Sequence, residues 1–291
     1  MAEPLPVAYL NGEFVALKEA RVSPLDRAFL YGDGVYEVMP VYDGRIFRFR
    51  EHFDRLDRSL NELRMKPVHP REHWAEICRE LVRRNDGGDM YLYVQVTRGA
   101  EYGRNHAPLP DIERTVFAFA SRLPPISAEK IARGVAAITA DDTRWTRCDI
   151  KSTALLANVM LKQLAVDAGV TETIMLKNGY LMEGSSTTVH VVIGGEIRTP
   201  PRSNQILPGT TRDVVSELAA RGGIPFKAMA VTEAEMRNGE EIFIAAATFG
   251  TLPVTRLDGK PVGGGLPGPV WKRIYELFNA YRRELAGTPI N

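Results

Sequence analysis

Lys151 stands in Arg147-Cys148-Asp149-Ile150-Lys151-Ser152-Thr153, immediately ahead of a long apolar helical pattern. A cation at the N-terminal end of a helix meets partial positive charge, which favours the neutral amine that a Schiff base requires. Glu183 stands in Leu181-Met182-Glu183-Gly184-Ser185-Ser186-Thr187-Thr188, where a hairpin strand enters a cluster of small hydroxyl residues. A carboxylate among small residues, where a flat ring can approach, suits the nitrogen of a pyridinium cofactor. Leu207-Pro208-Gly209-Thr210-Thr211-Arg212 opens a further helix, whose unpaired N–H groups and threonine hydroxyls suit an anion. Each has a plainer reading: a surface lysine, a solvated loop acid, a threonine cap. Together they are the three attachments that pyridoxal 5'-phosphate requires, and their joint presence is more specific than any one of them.

Other signals carry less. Gly263-Gly264-Gly265-Leu266-Pro267-Gly268 satisfies G-x-G-x-x-G as a string, but it holds a proline and has no βαβ unit after it, so a loop is expected. His69 and His73 have the four-residue spacing of helical zinc ligands without a third ligand nearby, and no metal is expected. There is no G-x-S-x-G elbow and no P-loop. The arginines from Arg45 to Arg58 are interleaved with Glu51, Asp54 and Asp57, so most of them are expected on a solvated helix face.

The elements that must position these residues alternate between hairpins and helices. Asn11-Gly12 separates apolar runs at 7–10 and 14–17, and Asp43-Gly44 separates 35–42 from 45–49. Helical spacing over 50–63 and 72–84 is followed by β-rich runs at 90–97 and 115–120. Leu123-Pro124-Pro125-Ile126-Ser127 breaks the pattern and marks a linker over 123–130, between domains at 1–122 and 131–291. Beyond it the pattern predicts a strand at 134–140, a helix from about 152 to 168 and hairpins at Asn178-Gly179 and Gly194-Gly195. A helix over 209–220, a strand at 241–247 and a closing helix at 267–285 follow. Hairpins mixed with helices, without regular βαβ alternation, predict an α+β fold.

The chain has 291 residues, 44% apolar and 25% charged, with a net charge of +1. That composition excludes disordered and collagen-like classes, and the absence of excess cations argues against nucleic acid as a partner. Two cysteines, Cys78 and Cys148, indicate no disulfide framework. The opening residues Met1 to Pro6 lack the basic and apolar regions of a secretory signal, and no apolar run is long enough to span a membrane. A cytoplasmic location is expected.

Asp26-Arg27-Ala28, Tyr31-Gly32-Asp33-Gly34-Val35-Tyr36-Glu37, Glu51-His52-Phe53-Asp54-Arg55-Leu56, Cys148-Asp149-Ile150-Lys151-Ser152, Glu183-Gly184-Ser185-Ser186 and Gly209-Thr210-Thr211-Arg212 occur in a telling order. It is the order seen in fold-type IV pyridoxal-phosphate aminotransferases, which the chain resembles from about residue 11 to residue 271. The resemblance implies a small N-terminal α/β domain and a larger C-terminal α+β domain built as a pseudo-barrel. It implies that Lys151 carries the cofactor and shuttles the proton between substrate Cα and cofactor C4′, while Glu183 pairs with the pyridine nitrogen. Arg55, in the pattern H-x-x-R, would grip the phosphate, Thr210 and Thr211 would donate to it, and Leu207 would lie against the ring. The family usually places one more phosphate-binding hydroxyl after the last strand. This chain reads Ala245-Ala246-Ala247-Thr248-Phe249-Gly250 there, so Thr248 or a backbone N–H must stand in.

Arg104-Asn105-His106 matches the R-x-H pair with which D-specific members hold the substrate α-carboxylate, built across a homodimer interface and completed by Tyr36. The cofactor fixes the substrate nitrogen and the Cα–H bond must face Lys151, so the direction given to the carboxylate decides the enantiomer. The implied reaction is ping-pong transfer of the amino group from a D-amino acid, D-alanine, to a 2-oxo acid, 2-oxoglutarate, giving pyruvate and D-glutamate. Branched-chain L-aminotransferases and aminodeoxychorismate lyases share the scaffold and are the alternatives, as do R-selective amine transaminases.

Overall fold

A computed structural model describes residues 3–286, which divide into two compact units. The first gathers the chain through Pro124 together with the short segment Ile150–Leu155; the second holds Pro125–Asp149 and Leu156–Glu284.

In the first unit, β1 (Pro4–Leu10), β2 (Glu13–Ala16), β3 (Gly34–Tyr42), β4 (Arg45–Ile46), β5 (Met90–Thr97) and β6 (Val116–Arg122) form one antiparallel sheet in the order β2-β1-β6-β5-β3-β4. The Asn11-Gly12 and Asp43-Gly44 pairs sit at φ of 47°, 100°, 49° and 75°, the left-handed geometry that two-residue hairpins need. Helix α1 (Arg27–Tyr31) precedes β3, and α2 (Phe49–Glu62) and α3 (Arg71–Arg84) follow β4. Period-2 alternation in the strands and helical spacing in α2 and α3 put Met39, Leu92, Val94, Ala118, Phe53, Leu56, Leu60, Trp74 and Leu81 into a single core.

The second unit contains α4 (Ala128–Arg133), β7 (Val135–Asp141), α5 (Leu156–Asp167), β8 (Glu172–Lys177), β9 (Tyr180–Gly184), β10 (Thr188–Ile193), β11 (Glu196–Thr199) and α6 (Thr210–Arg221). It continues with β12 (Phe226–Ala228), α7 (Glu233–Arg237), β13 (Glu241–Ala246), β14 (Gly250–Leu257), β15 (Lys260–Pro261) and α8 (Pro269–Ala286). Its mixed sheet runs β12-β11-β10-β13-β14-β7-β8-β9, with β15 added on β14. β9 touches β10 although four strands separate them in the hydrogen-bonded order, so the sheet curls back on itself. The fold is α+β, as the hairpin-and-helix pattern predicts.

One local expectation is corrected. The helix expected from residue 152 begins at Leu156. Residues 151–154 are instead drawn into pairing with the end of β3: the Tyr36 N–H donates to the Lys151 carbonyl at 3.0 Å and the Thr153 N–H to the Gly34 carbonyl at 2.9 Å. Lys151 is therefore not beside a helix terminus, and the macrodipole argument for its chemistry does not hold. Its placement depends instead on glycine. A Cβ at Gly32 (φ 70°) would lie 2.9 Å from Ala154, and one at Gly34 would lie 3.3 Å from Thr153 Oγ1.

Candidate active site

In the first unit, the Lys151 N–H donates to Ser59 Oγ on α2 at 3.2 Å, and its Nζ stands 4.0 Å over the ring of Tyr36. Among the described residues no carboxylate lies within ion-pair distance of that amine. An amine held on an aromatic face without a counter-ion is available for chemistry. Alternation along β3 turns Tyr36 to one face and Glu37 to the other.

Glu37 is fully buried, and two residues one turn apart on α2 serve it. Arg55 brings Nε and Nη2 to its two oxygens at 2.7 and 2.8 Å, and His52 Nδ1 lies 2.7 Å from Oε2. Burial alone would raise the Glu37 carboxyl, but the Arg55 fork and His52 outweigh it and bring it to about 2. Burial likewise holds His52 below its ordinary value. Both shifts are downward, so their contribution to folding is present above the ordinary values and is lost as pH falls. For Glu37 the window runs from 4.5 toward about 2, worth on the order of 3 kcal/mol. Glu37→Gln is accordingly expected to lower the denaturant midpoint markedly at pH 7 and far less at pH 3. A gap equally wide at both pH values would refute the assignment.

Arg104 and His106 lie in the exposed loop after β5. Both pack on Tyr31, Arg104 at 5.2 Å from its ring centroid and His106 at 5.5 Å between centroids. Among the described residues, no hydrogen bond or ring contact joins either of them to Tyr36 of the same chain, which instead stacks on Tyr93 at 5.5 Å.

In the second unit, β9 carries Glu183 into a buried position. Its Oε1 accepts from Arg144 Nη1 and, at 3.2 Å, from the Leu207 N–H. Arg144 is held in turn by Asp142, with Nε and Nη2 at 3.0 and 2.9 Å from the two carboxylate oxygens. Burial raises the Glu183 carboxyl to about 7 despite Arg144. Residues 142 and 144 follow β7, and sequence reasoning missed them. A pair of opposite charges two residues apart is too common to signal a role before the fold brings β9 alongside. Glu172, also missed, is buried on β8 and accepts from the Ser185 hydroxyl and, at 3.2 Å, the Ser185 N–H. It fixes the turn that follows Glu183.

Thr210 and Thr211 begin α6 and are buried. The N-cap is Gly209, which offers no side-chain cap to the first-turn N–H groups. Thr187, four residues after Glu183, is 6% exposed and its Oγ1 has no partner among the described residues. Thr248 and Ala247 lie in the turn that joins β13 to β14.

Within each unit these residues are of the kinds that pyridoxal phosphate needs. The amine has no counter-ion, and a buried carboxylate raised toward neutrality in spite of Arg144 gains from a second positive partner such as a pyridinium N–H. The uncapped start of α6 suits a phosphate.

The sequence pattern of the amino-transferase class IV family matches residues 34–257. The D-alanine aminotransferase of Bacillus licheniformis is 38% identical over 284 residues, covering 96% of this chain and 98% of that protein. That of Staphylococcus haemolyticus is 37% identical over 274 residues, covering 94% and 96%. Among solved structures, the branched-chain amino acid aminotransferase of Escherichia coli is similar at a TM-score of 0.88 and 28% identity, covering 96% of this chain and 94% of the other. A second branched-chain amino acid aminotransferase, from T.th. and solved with pyridoxamine 5'-phosphate, is similar at a TM-score of 0.90 and 28% identity. That match covers 98% of this chain and 95% of the other. The chain belongs to the class IV aminotransferases. Its α+β architecture is the fold-type IV scaffold expected from the resemblance, and the protein is an enzyme that transfers amino groups.

Proposed function

We propose that the chain is a D-amino-acid transaminase dependent on pyridoxal 5'-phosphate, moving the amino group of D-alanine to 2-oxoglutarate in a ping-pong cycle. The observation that carries the reading is the Lys151 amine, held over Tyr36 without a carboxylate partner. When bound, the cofactor supplies an aldehyde that takes up the amino group and a ring that accepts the electron pair released at Cα. Lys151 Nζ would hold the aldehyde carbon and, once freed, accept the proton lost from Cα. Glu183 would hold a proton on the ring nitrogen, and Arg144 would keep Glu183 ionised while doing so. Arg55, Thr210 and Thr211 would meet the phosphate. Glu37 would orient Arg55, leaving the guanidinium with one edge spent on Nε and Nη2. The Leu207 N–H supports Glu183, so its contribution begins with the backbone.

Tyr36, Arg104 and His106 would hold the α-carboxylate, with Arg104 and His106 reaching the Tyr36 of a second copy. Two features support a homodimer: the exposure of Arg104 and His106, and the apolar side chains that α5 leaves in water. Leu156, Val159 and Met160 are 75%, 60% and 63% exposed. No helix among the described residues is long and apolar enough to cross a membrane. A cytoplasmic enzyme without nucleic-acid or membrane partners agrees with that and with the near-zero net charge.

The D-specific reading is favoured over the branched-chain one because the D-alanine aminotransferases are 37–38% identical over nearly the whole chain, against 28% for the two branched-chain enzymes. The test is a half-reaction spectrum. D-alanine is expected to bleach the yellow holoenzyme at least about 100-fold faster than L-alanine or L-leucine. The opposite preference would overturn the stereochemical assignment.

A further inference from the structure

Residues 102–110, which include Arg104 and His106, are solvent-facing throughout. A loop of that kind needs an anchor if two of its side chains are to receive a carboxylate in one orientation. Helix α1 supplies it. Arg27 is 3% exposed, and it donates from Nη1 to the Asn105 carbonyl at 2.7 Å and from Nη2 to the His106 carbonyl at 2.9 Å. Nη1 also pairs with Glu101, whose second oxygen accepts the Leu109 N–H at 3.1 Å. The loop is thus tied to Arg27 before, within and after the Arg104–His106 pair.

The mount is itself fixed. Arg27 Nε reaches Asp33 at 2.9 Å, and Asp33 is shared with Arg98 at 2.8 Å. Asp26, the N-cap of α1, accepts the hydroxyls of Thr97 and Thr115 at 2.8 and 2.6 Å, at the two points where the loop leaves and rejoins the sheet. Tyr31, at the end of α1, lies 4.7 Å from the Arg27 guanidinium and carries both Arg104 and His106 against its ring.

We propose that Arg27 and Tyr31 are positioning residues that set the orientation of the Arg104–His106 loop, and through it the preference for one enantiomer, without touching substrate. The inference rests on the reading of Arg104 and His106 as carboxylate ligands. A planar fork donating to two successive carbonyls fixes the peptide planes on either side of His106. The Tyr31 ring fixes the side chains that leave it.

The test uses the holoenzyme with Arg27→Lys, which keeps the charge but loses the fork, and Tyr31→Leu, which leaves the buried ion pairs intact should the first variant fail to fold. Expected are KM values for D-alanine and 2-oxoglutarate raised about tenfold, kcat within about threefold, and a D-to-L ratio of kcat/KM lowered about tenfold. The rate at which hydroxylamine, an amine with no carboxylate, reacts with the bound aldehyde is expected to stay unchanged. If hydroxylamine slows as much as D-alanine, the variants act by general loosening and the proposal is overturned. If both keep the KM and D-to-L ratio of the parent while Arg104→Ala raises KM, the proposal fails and the reading of the loop survives. If Arg104→Ala leaves KM for D-alanine unchanged, the reading beneath it fails.

Discussion

Lys151→Ala is expected to give a folded protein that shows no Schiff-base absorbance with pyridoxal phosphate and turns over about 10,000-fold more slowly than the parent. Folding should survive because the bonds that place residue 151 are made by its main chain: the carbonyl to Tyr36 N–H and the N–H to Ser59. Only the contact of Nζ with the Tyr36 ring is lost, worth about 1–2 kcal/mol at a partly buried position. Near-parental activity would refute the covalent role of Lys151. The variant also tests the shared site. Mixed with an equal amount of Arg104→Ala and refolded together, half of the dimers should be hybrids. In each hybrid one site has an intact lysine and a partner's intact Arg104, so about a quarter of parental activity should return. No recovery would show that Arg104 serves its own chain.

Glu183→Gln is expected to lower kcat by roughly 100- to 1000-fold with the cofactor still bound, because a neutral amide cannot favour a protonated ring nitrogen. Arg144 gives the second arm of the experiment. Glu183 is buried, and its carboxyl stays near 7 only because Arg144 opposes the effect of burial. Arg144→Met removes that opposition, so the proton shared with a ring nitrogen should move toward the carboxylate. The acid limb of the pH–activity profile should then shift to higher pH. The double variant should be little slower than Glu183→Gln alone, since the two groups act as one unit. Additive losses would mean that Arg144 acts elsewhere.

The hairpins were legible in the sequence because Asn-Gly, Asp-Gly and Gly-Gly pairs specify their own turn geometry. The helices α2, α3 and α6 were legible because a buried face repeats at 3.6 residues. Lys151 and Glu183 stood out by residue type, yet for Lys151 the local argument was wrong. Residues 152–155 have a helical pattern, and the partners that pair with residues 151–153 instead, Gly34 to Tyr36, are more than a hundred positions away. Arg144, Glu172 and Arg27 were hidden because their partners lie on other elements, 39, 13 and 78 positions away, and Asp142 because it acts only through Arg144. Each is an ordinary charged residue in sequence and acquires its task only from partners such as Glu183, Ser185 or the Asn105 carbonyl. Glu37 belongs to a motif visible in the sequence, but its bonds to Arg55 and His52 needed the strand and helix to be packed.

The excursion of Ile150–Leu155 into the first unit constrains engineering. A fragment ending at Pro124 lacks Lys151, and one beginning at Pro125 carries it away from the strand that seats it. Swapping halves between relatives by a single crossover at the proline-rich joint would therefore pair a foreign lysine segment with a resident β3. Chimeras should work only when residues 150–155 travel with the N-terminal half, so this enzyme has to be redesigned as a unit rather than as two modules.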